Sequence, residues 1–364
     1  MRGLLLVVLA FLTPAVAANA DIAPPPKPQP QIVTYAPTPT AFTCGKGQAR
    51  LIEGAPVPPR AQQGYIQAGA QAPSPPTERY AFGVDADGRV IDLKREAAWT
   101  PDSQAAVIVS WRFAPGAPAS DCKLPLTATV TSLDLASPAQ MLQTQIAEWR
   151  AAPAYLRKAL DGLGSCGQTP RRRPQTIVYP DVRAFGDRTV DPAWAGMTYD
   201  IDADGAVRNV RIVTQHGEPA FADIAAASIA ESRFMSGSPR TGCHAVFKAG
   251  VKASPAARRP DAASFERPTD ACTLKKVPLP EVLPYPPPYA ERRVGGWAIV
   301  RFDVAPWGQV GSVEVLAAQP TPAFGAAAYD LMQRIKVPAP PSGGYRGCVM
   351  PILYATPAIV DEDY

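Results

Sequence analysis

The 364-residue sequence holds two histidines, His216 and His244, and six cysteines, none of them in a C-x-x-C. Such scarcity removes most histidine-dependent catalysis and most zinc chemistry, and it leaves no redox motif or zinc knuckle. There is no G-x-S-x-G, no H-E-x-x-H and no P-loop. No apolar run approaches the roughly 20 residues of a membrane span. A net charge of +4 over the chain leaves no electrostatic footprint for nucleic acid. The 43 prolines are more than twice ordinary usage, yet no Gly-x-y period accompanies them, which excludes collagen. What remains is a 46% apolar chain with material for real cores, long enough for two or three domains.

The N-terminus sets the compartment. Arg2 is followed by an apolar run from Leu4 to Leu12, then Pro14 and small residues ending in Ala15-Val16-Ala17 and Ala18-Asn19-Ala20. A charged start, a short apolar core and an A-x-A site read as a cleavable signal peptide over 1–20. The first cysteine, Cys44, lies too far on for a lipoprotein. In the oxidising compartment this implies, an even number of cysteines reads as disulfides.

Those cysteines fall into three pairs, 44 and 122, 166 and 243, 272 and 348, separated by 78, 77 and 76 residues. The same grammar runs between the members of each pair. An alternating strand comes first, with Tyr80-Phe82-Val84, Met197-Tyr199-Ile201 or Val300-Phe302-Val304 on one apolar face. Tight turns follow: Asp85-Ala86-Asp87-Gly88, Asp202-Ala203-Asp204-Gly205 and Ala305-Pro306-Trp307-Gly308. Next come a second strand and a helix, whose predicted buried stripe is Phe221, Ile224, Ala225, Ser228 and Ile229 in one case and Phe324, Ala327, Ala328, Leu331 and Ile335 in another. A last strand carries the second cysteine. The fold class expected is therefore α+β: three tandem two-layer domains, each a small antiparallel sheet with one packed helix and one disulfide. Equal spacing selects the pairs Cys44–Cys122, Cys166–Cys243 and Cys272–Cys348 from 15 possible connectivities.

The resulting organisation is a Pro-rich arm over 21–43, units over 44–135, 166–254 and 271–358, and a tail over 359–364. The arm is too rich in proline to pack and reads as extended polyproline II. Residues 136–165 read as an interdomain helix broken near Pro153, and 255–270 as a plain linker.

The third unit resembles the C-terminal domain of the TonB energy transducers. The resemblance rests on Leu283-Pro284-Tyr285-Pro286, Ala290, Val294-Gly295-Gly296, Ala298 to Val304, Gly308-Gln309-Val310 and Val313 to Pro320. Trp111-Arg112-Phe113-Ala114-Pro115 of the first unit is similar to that family's W-R-F-x-P element, and the second unit keeps Tyr179-Pro180. The resemblance implies a periplasmic domain that binds protein partners, adding an extended peptide of an outer-membrane transporter, the TonB box, to a sheet edge. A transducer also needs a retained membrane anchor and a long spacer, which this sequence does not present.

Candidate site residues follow. Trp307, at a hairpin tip, and the last strand with Cys348, Val349, Met350, Ile352 and Tyr354 form the expected peptide-binding edge and tip. The two Asp-x-Asp-Gly turns lack the further ligands of a calcium loop and read as turn chemistry. Arg171-Arg172-Arg173, Arg258-Arg259 and Arg292-Arg293 read as solvated loops, and both histidines as structural. No catalytic, cofactor or metal residue is assigned. The reading is a non-enzymatic periplasmic protein that binds or scaffolds an envelope protein or peptide, with an outer-membrane transporter as one such partner. The alternatives are a divergent transducer anchored by an uncleaved N-terminus and an unrecognised envelope enzyme.

Overall fold

The computed structural model describes residues 27–35, 42–64, 77–97, 103–148, 152–274, 276–339 and 343–355. Residues 1–20, where a signal peptide is expected, most of the arm and residues 356–364 lie outside these. The first sheet is built from β1 (Gln29–Tyr35), β2 (Thr43–Lys46), β4 (Arg60–Gly64), β5 (Thr77–Val84), β6 (Val90–Ala97) and β8 (Ala119–Ser132). Its order is β4-β1-β8-β5-β6, with β2 also on β8, while β3 (Leu51–Glu53) and β7 (Arg112–Phe113) form a small side ladder. Helix α1 (Ser103–Ser110) lies against β6. Two helices follow, α2 (Pro138–Glu148) and α3 (Ala154–Asp161).

The second sheet has the order β11-β10-β13, from β10 (Trp194–Ile201), β11 (Val207–His216) and β13 (Arg240–Lys248), with α4 (Pro219–Glu231) packed on it. A side ladder joins β9 (Pro174–Thr176) to β12 (Arg233–Phe234). The third unit opens with α5 (Pro287–Glu291) and has the sheet order β15-β14-β16, from β14 (Gly296–Val304), β15 (Val310–Gln319) and β16 (Tyr345–Tyr354), under α6 (Pro322–Arg334). The fold is thus α+β with three antiparallel sheets, and the disulfides are Cys44–Cys122, Cys166–Cys243 and Cys272–Cys348. No helix among the described residues is long and apolar enough to cross a membrane.

The three hairpins are built alike. Gly88, Gly205 and Gly308 have φ of 77°, 90° and 85°, where a Cβ would run into the carbonyl oxygen of Phe113, Phe234 or Val337. Each glycine carbonyl accepts a 2.9 Å hydrogen bond from the amide of that same residue, tying the turn to the segment after the helix. In the first two turns an aspartate completes the geometry: Asp85 Oδ1 accepts from the amides of Asp87 and Arg89, and Asp202 Oδ1 from that of Ala206. Four residues beyond each glycine the chain bulges at Asp92, Asn209 and Ser312, with φ of 52°, 53° and 50°. A second positive φ, at Asp121, Gly242 and Gly347, precedes each sheet cysteine. The strand faces follow the alternation: Tyr80, Phe82, Val84, Met197, Ile201, Val300, Phe302 and Val304 are all buried.

Four expectations are corrected. The arm is not polyproline II throughout, because residues 29–35 form β1 between β4 and β8 and bury Ile32 and Val33 completely. Burial on both faces makes consecutive apolar residues useful in a way that proline content does not reveal. The 255–270 stretch is not a plain linker. Ser254 donates its amide to Arg293 and accepts from that of Gly295, Ala257 accepts from the Trp297 indole at 2.9 Å, and Ala256 accepts from Arg89 at 3.1 Å. The arginine clusters are not all solvated: Arg172 donates to the carbonyls of Ser238 and Asp202, and the Arg292-Arg293 pair lies in the seam between the second and third sheets. Finally, the α4 stripe turns Ala222 inward and leaves Ile224 exposed.

The sheets are also not separately cored. One hydrophobic cluster joins Val33, Phe82 and Trp111 of the first unit to Tyr289, Phe324 and Tyr354 of the third. The Leu93 amide donates to Pro320 O at 2.9 Å, and Asp92 and Gln319 exchange two further bonds across that seam. Helices α2 and α3 wedge between the first and second sheets, where Leu142 of α2 and Leu156 and Leu160 of α3 share a cluster with Ile32 of the first sheet and Val213 and Val246 of the second.

Helix α2 ends on a titratable contact. Glu148 Oε1 accepts a 2.7 Å bond from the Ala61 amide of β4, and burial pushes its carboxyl up to about 7. A carboxyl raised in the folded state binds protons more tightly there, so its contribution is favourable below the unfolded value near 4.5 and is lost as pH rises to about 7. The loss is at most on the order of 3 kcal/mol. Glu148→Gln keeps an acceptor for Ala61, so denaturant midpoints should match the parent at pH 4.5 and exceed it at pH 8.

Candidate peptide-binding edge

Strand β16 lies at the edge of the third sheet. It pairs with β14 from Gly296↔Tyr354 to Val304↔Tyr345. Among the described residues its outer side is covered only at the start, where Ala271 and Arg346 exchange backbone hydrogen bonds of 2.9 and 3.3 Å. The Cys272–Cys348 disulfide fixes that cover. Beneath it, Arg301, 7% exposed, donates to the Phe265 carbonyl and lies 3.3 Å from Asp270. From Val349 to Tyr354 no strand pairs with the outer side among the described residues.

Alternation decides what this strand presents. Ile352 and Tyr354 are 0% and 1% exposed and point to the core, where the Tyr354 ring meets Tyr285 and Phe324 edge-on at 5.5 and 5.4 Å. Burial pushes the Tyr354 hydroxyl up to about 12, so it stays protonated. Cys348 is buried in its disulfide, and Val349 and Met350 are half-buried. The side chains of Cys348, Ile352 and Tyr354 therefore hold the strand in place and are not displayed to a partner.

Two residues of the edge escape a reading based on apolar alternation. Leu353, opposite buried Trp297, is 56% exposed. Pro351 has no N–H, and proline in an edge strand turns that missing donor outward. An incoming strand therefore finds a donor gap opposite Pro351, with backbone groups to pair on either side and Leu353 beyond. Trp307 is 75% exposed at its tip. That tip sits beside Tyr345, about 24 Å along the sheet from Leu353 at some 3.4 Å per residue. Trp307 and the open stretch of β16 therefore do not form one site.

The first sheet shows how the same side of the corresponding strand is filled. Strand β8 carries Cys122 and pairs on one side with β5. On its other side β2 takes Lys123 to Ser120 and β1 takes Ser132 to Ala128, both antiparallel. Both are short segments arriving from elsewhere in the chain. No curated protein matches the chain. Residues 281–355, which run from just before α5 to the end of β16, match the family model for the Gram-negative bacterial TonB protein C-terminal, and the third sheet with its helices is a TonB C-terminal-like domain.

Proposed function

We propose that this chain is a non-enzymatic protein of the bacterial periplasm that captures an extended peptide of an envelope protein on the outer side of β16. The observation that carries the reading is the way β1 and β2 complete the same side of β8: the fold already accepts antiparallel strand addition at that place. Main-chain pairing supplies affinity in such a mode, and side chains on alternate positions supply specificity. Three disulfides and the export signal read from the sequence support an oxidising compartment. The recurring turn bonds and bulges support descent of all three units from one ancestor, with the first and second turned to scaffolding.

Hydrogen exchange on the full chain tests the reading, with a TonB-box peptide as probe. Protection is expected at Val349 and Leu353, with β11 and β6 unchanged. Leu353→Asp should weaken binding at least tenfold, since it sets a charge against an apolar contact. Protection at another edge, or none at saturating peptide, overturns the assignment.

A further inference from the structure

Between Cys272 and α5 the chain passes the end of α6 and leaves a cleft that the peptide-binding edge does not use. Its volume is about 590 Å³. One wall is the segment 278–284, with Leu279, Val282 and Leu283. The other is the last turn of α6, with Leu331 and Arg334, followed by Lys336. The prolines of the first wall have no N–H, so it is poor at strand pairing and offers apolar side chains instead. Val282 is 83% exposed, an apolar side chain left in water at the cleft.

The charged lining of the cleft is basic. Arg334 donates its Nε to the Asp330 carbonyl at 3.0 Å, and neither Arg334 nor Lys336, both exposed, has a carboxylate partner among the described residues. The neighbouring carboxylates, Glu281 and Asp330, do not line the cleft. Apolar residues followed by acidic ones are therefore the complementary occupant, and the chain carries such a run. Ile359-Val360 precede Asp361-Glu362-Asp363, outside the described residues. The run starts close by. Tyr354, five residues before Ile359, has its ring 5.5 Å from Tyr285 and 5.4 Å from Phe324. Tyr285 directly follows the segment 278–284, and Phe324 lies two turns before Leu331, about 10 Å along the helix. Five residues of extended chain reach about 17 Å, so Ile359 can enter the cleft with β16 in place. Along that path Leu331 comes before Arg334 and Lys336, as the apolar pair comes before the acidic run.

We propose that residues 359–363 dock in this cleft, with Ile359 and Val360 against Leu279, Val282 and Leu331 and the three carboxylates on Arg334 and Lys336. Burial of the apolar pair with Val282 drives the contact, and the charges fix its direction. The docked run clasps the segment 278–284 to the end of α6. The inference does not rest on the peptide-binding edge.

Methyl NMR of the full chain tests it. Deleting residues 356–364 should shift the signals of Val282, Leu283 and Leu331 and leave those of Leu124 and Val207, in the other two units, where they were. Asp361→Lys, Glu362→Lys and Asp363→Lys together should move Val282 and Leu283 as the deletion does, and Arg334→Glu with Lys336→Glu should do the same. Combining all five substitutions restores opposite charges across the cleft and should return Val282 and Leu283 to their parent positions. A role for Arg334 and Lys336 confined to the helix end would not give that rescue. Three results overturn the proposal: no shift on deletion, which leaves the cleft to a partner protein; no rescue by the combined reversal; or parent shifts that depend on protein concentration, which assign the cleft to the same run of a second copy.

Discussion

Replacing Glu78 with alanine is expected to cost about 3–5 kcal/mol, the range for stripping one partner from a buried charged cluster. Glu78 is 0% exposed, and its two carboxylate oxygens accept from the hydroxyls of Tyr35 at 3.0 Å and Tyr80 at 2.9 Å. Arg60, 7% exposed, donates to the Tyr35 hydroxyl at 2.9 Å, and Gln104 donates to it at 3.2 Å. Burial and the Glu78 charge push the Tyr35 hydroxyl up to about 12, with Arg60 opposing, so the phenol remains a donor. The cluster draws one residue each from β1, β4 and α1 and two from β5. Glu78→Ala leaves a guanidinium and tyrosine hydroxyls without their carboxylate where water does not reach. Tyr35→Phe removes three bonds, the one donated to Glu78 and those accepted from Arg60 and Gln104, and should cost about 1–3 kcal/mol. Replacing Tyr35, Arg60 and Glu78 together by Phe, Met and Leu should cost less than Glu78→Ala alone, because no charge is then stranded. Denaturant midpoints of the three proteins give the order. If Glu78→Ala lies within 1 kcal/mol of the parent, the cluster does not hold β1 in the sheet.

Removing the Cys272–Cys348 bond, by replacing both cysteines with alanine, should cost about 4 kcal/mol in the chain-entropy model for a closure of 76 residues. The bond anchors Ala271 against Arg346, the sole backbone cover on the outer side of β16 among the described residues. Its loss should therefore speed exchange of the Arg346 amide well beyond the change at Phe302 in the sheet interior. Equal acceleration at both amides would indicate global loosening, with no local role for the bond in defining where the open edge begins.

The order strand, turn, strand, helix, strand was legible because it rests on local signals: alternation on β5, β10 and β14, a glycine at each turn, and cysteines at matched distances. The bulges at Asp92, Asn209 and Ser312 were hidden because three residue types adopt the same left-handed conformation, and serine carries no advertisement of it. Strand β1 was hidden for another reason. Ile32-Val33 becomes strand only when β4 and β8 arrive on its two sides, and its own neighbourhood is proline and glutamine. In the third unit Ile352 and Tyr354 read as display residues because they are apolar, and their apolarity serves the core. Leu353 and Pro351 matter because of the side they face, which a one-residue offset reverses.

A cluster that runs from Val33 to Tyr354 has a consequence for the order of events during synthesis and folding. A chain emerging amino end first delivers the strands of the first sheet early, yet the residues that finish its core, Tyr289, Phe324 and Tyr354 among them, arrive last. Until then the first unit holds an unsealed apolar flank, and closure must wait for contacts between residues hundreds of positions apart. Such topologies fold slowly and expose partly formed intermediates to aggregation. Truncation before α5 should therefore harm the first unit more than the second, whose central cluster draws only on residues between 182 and 249.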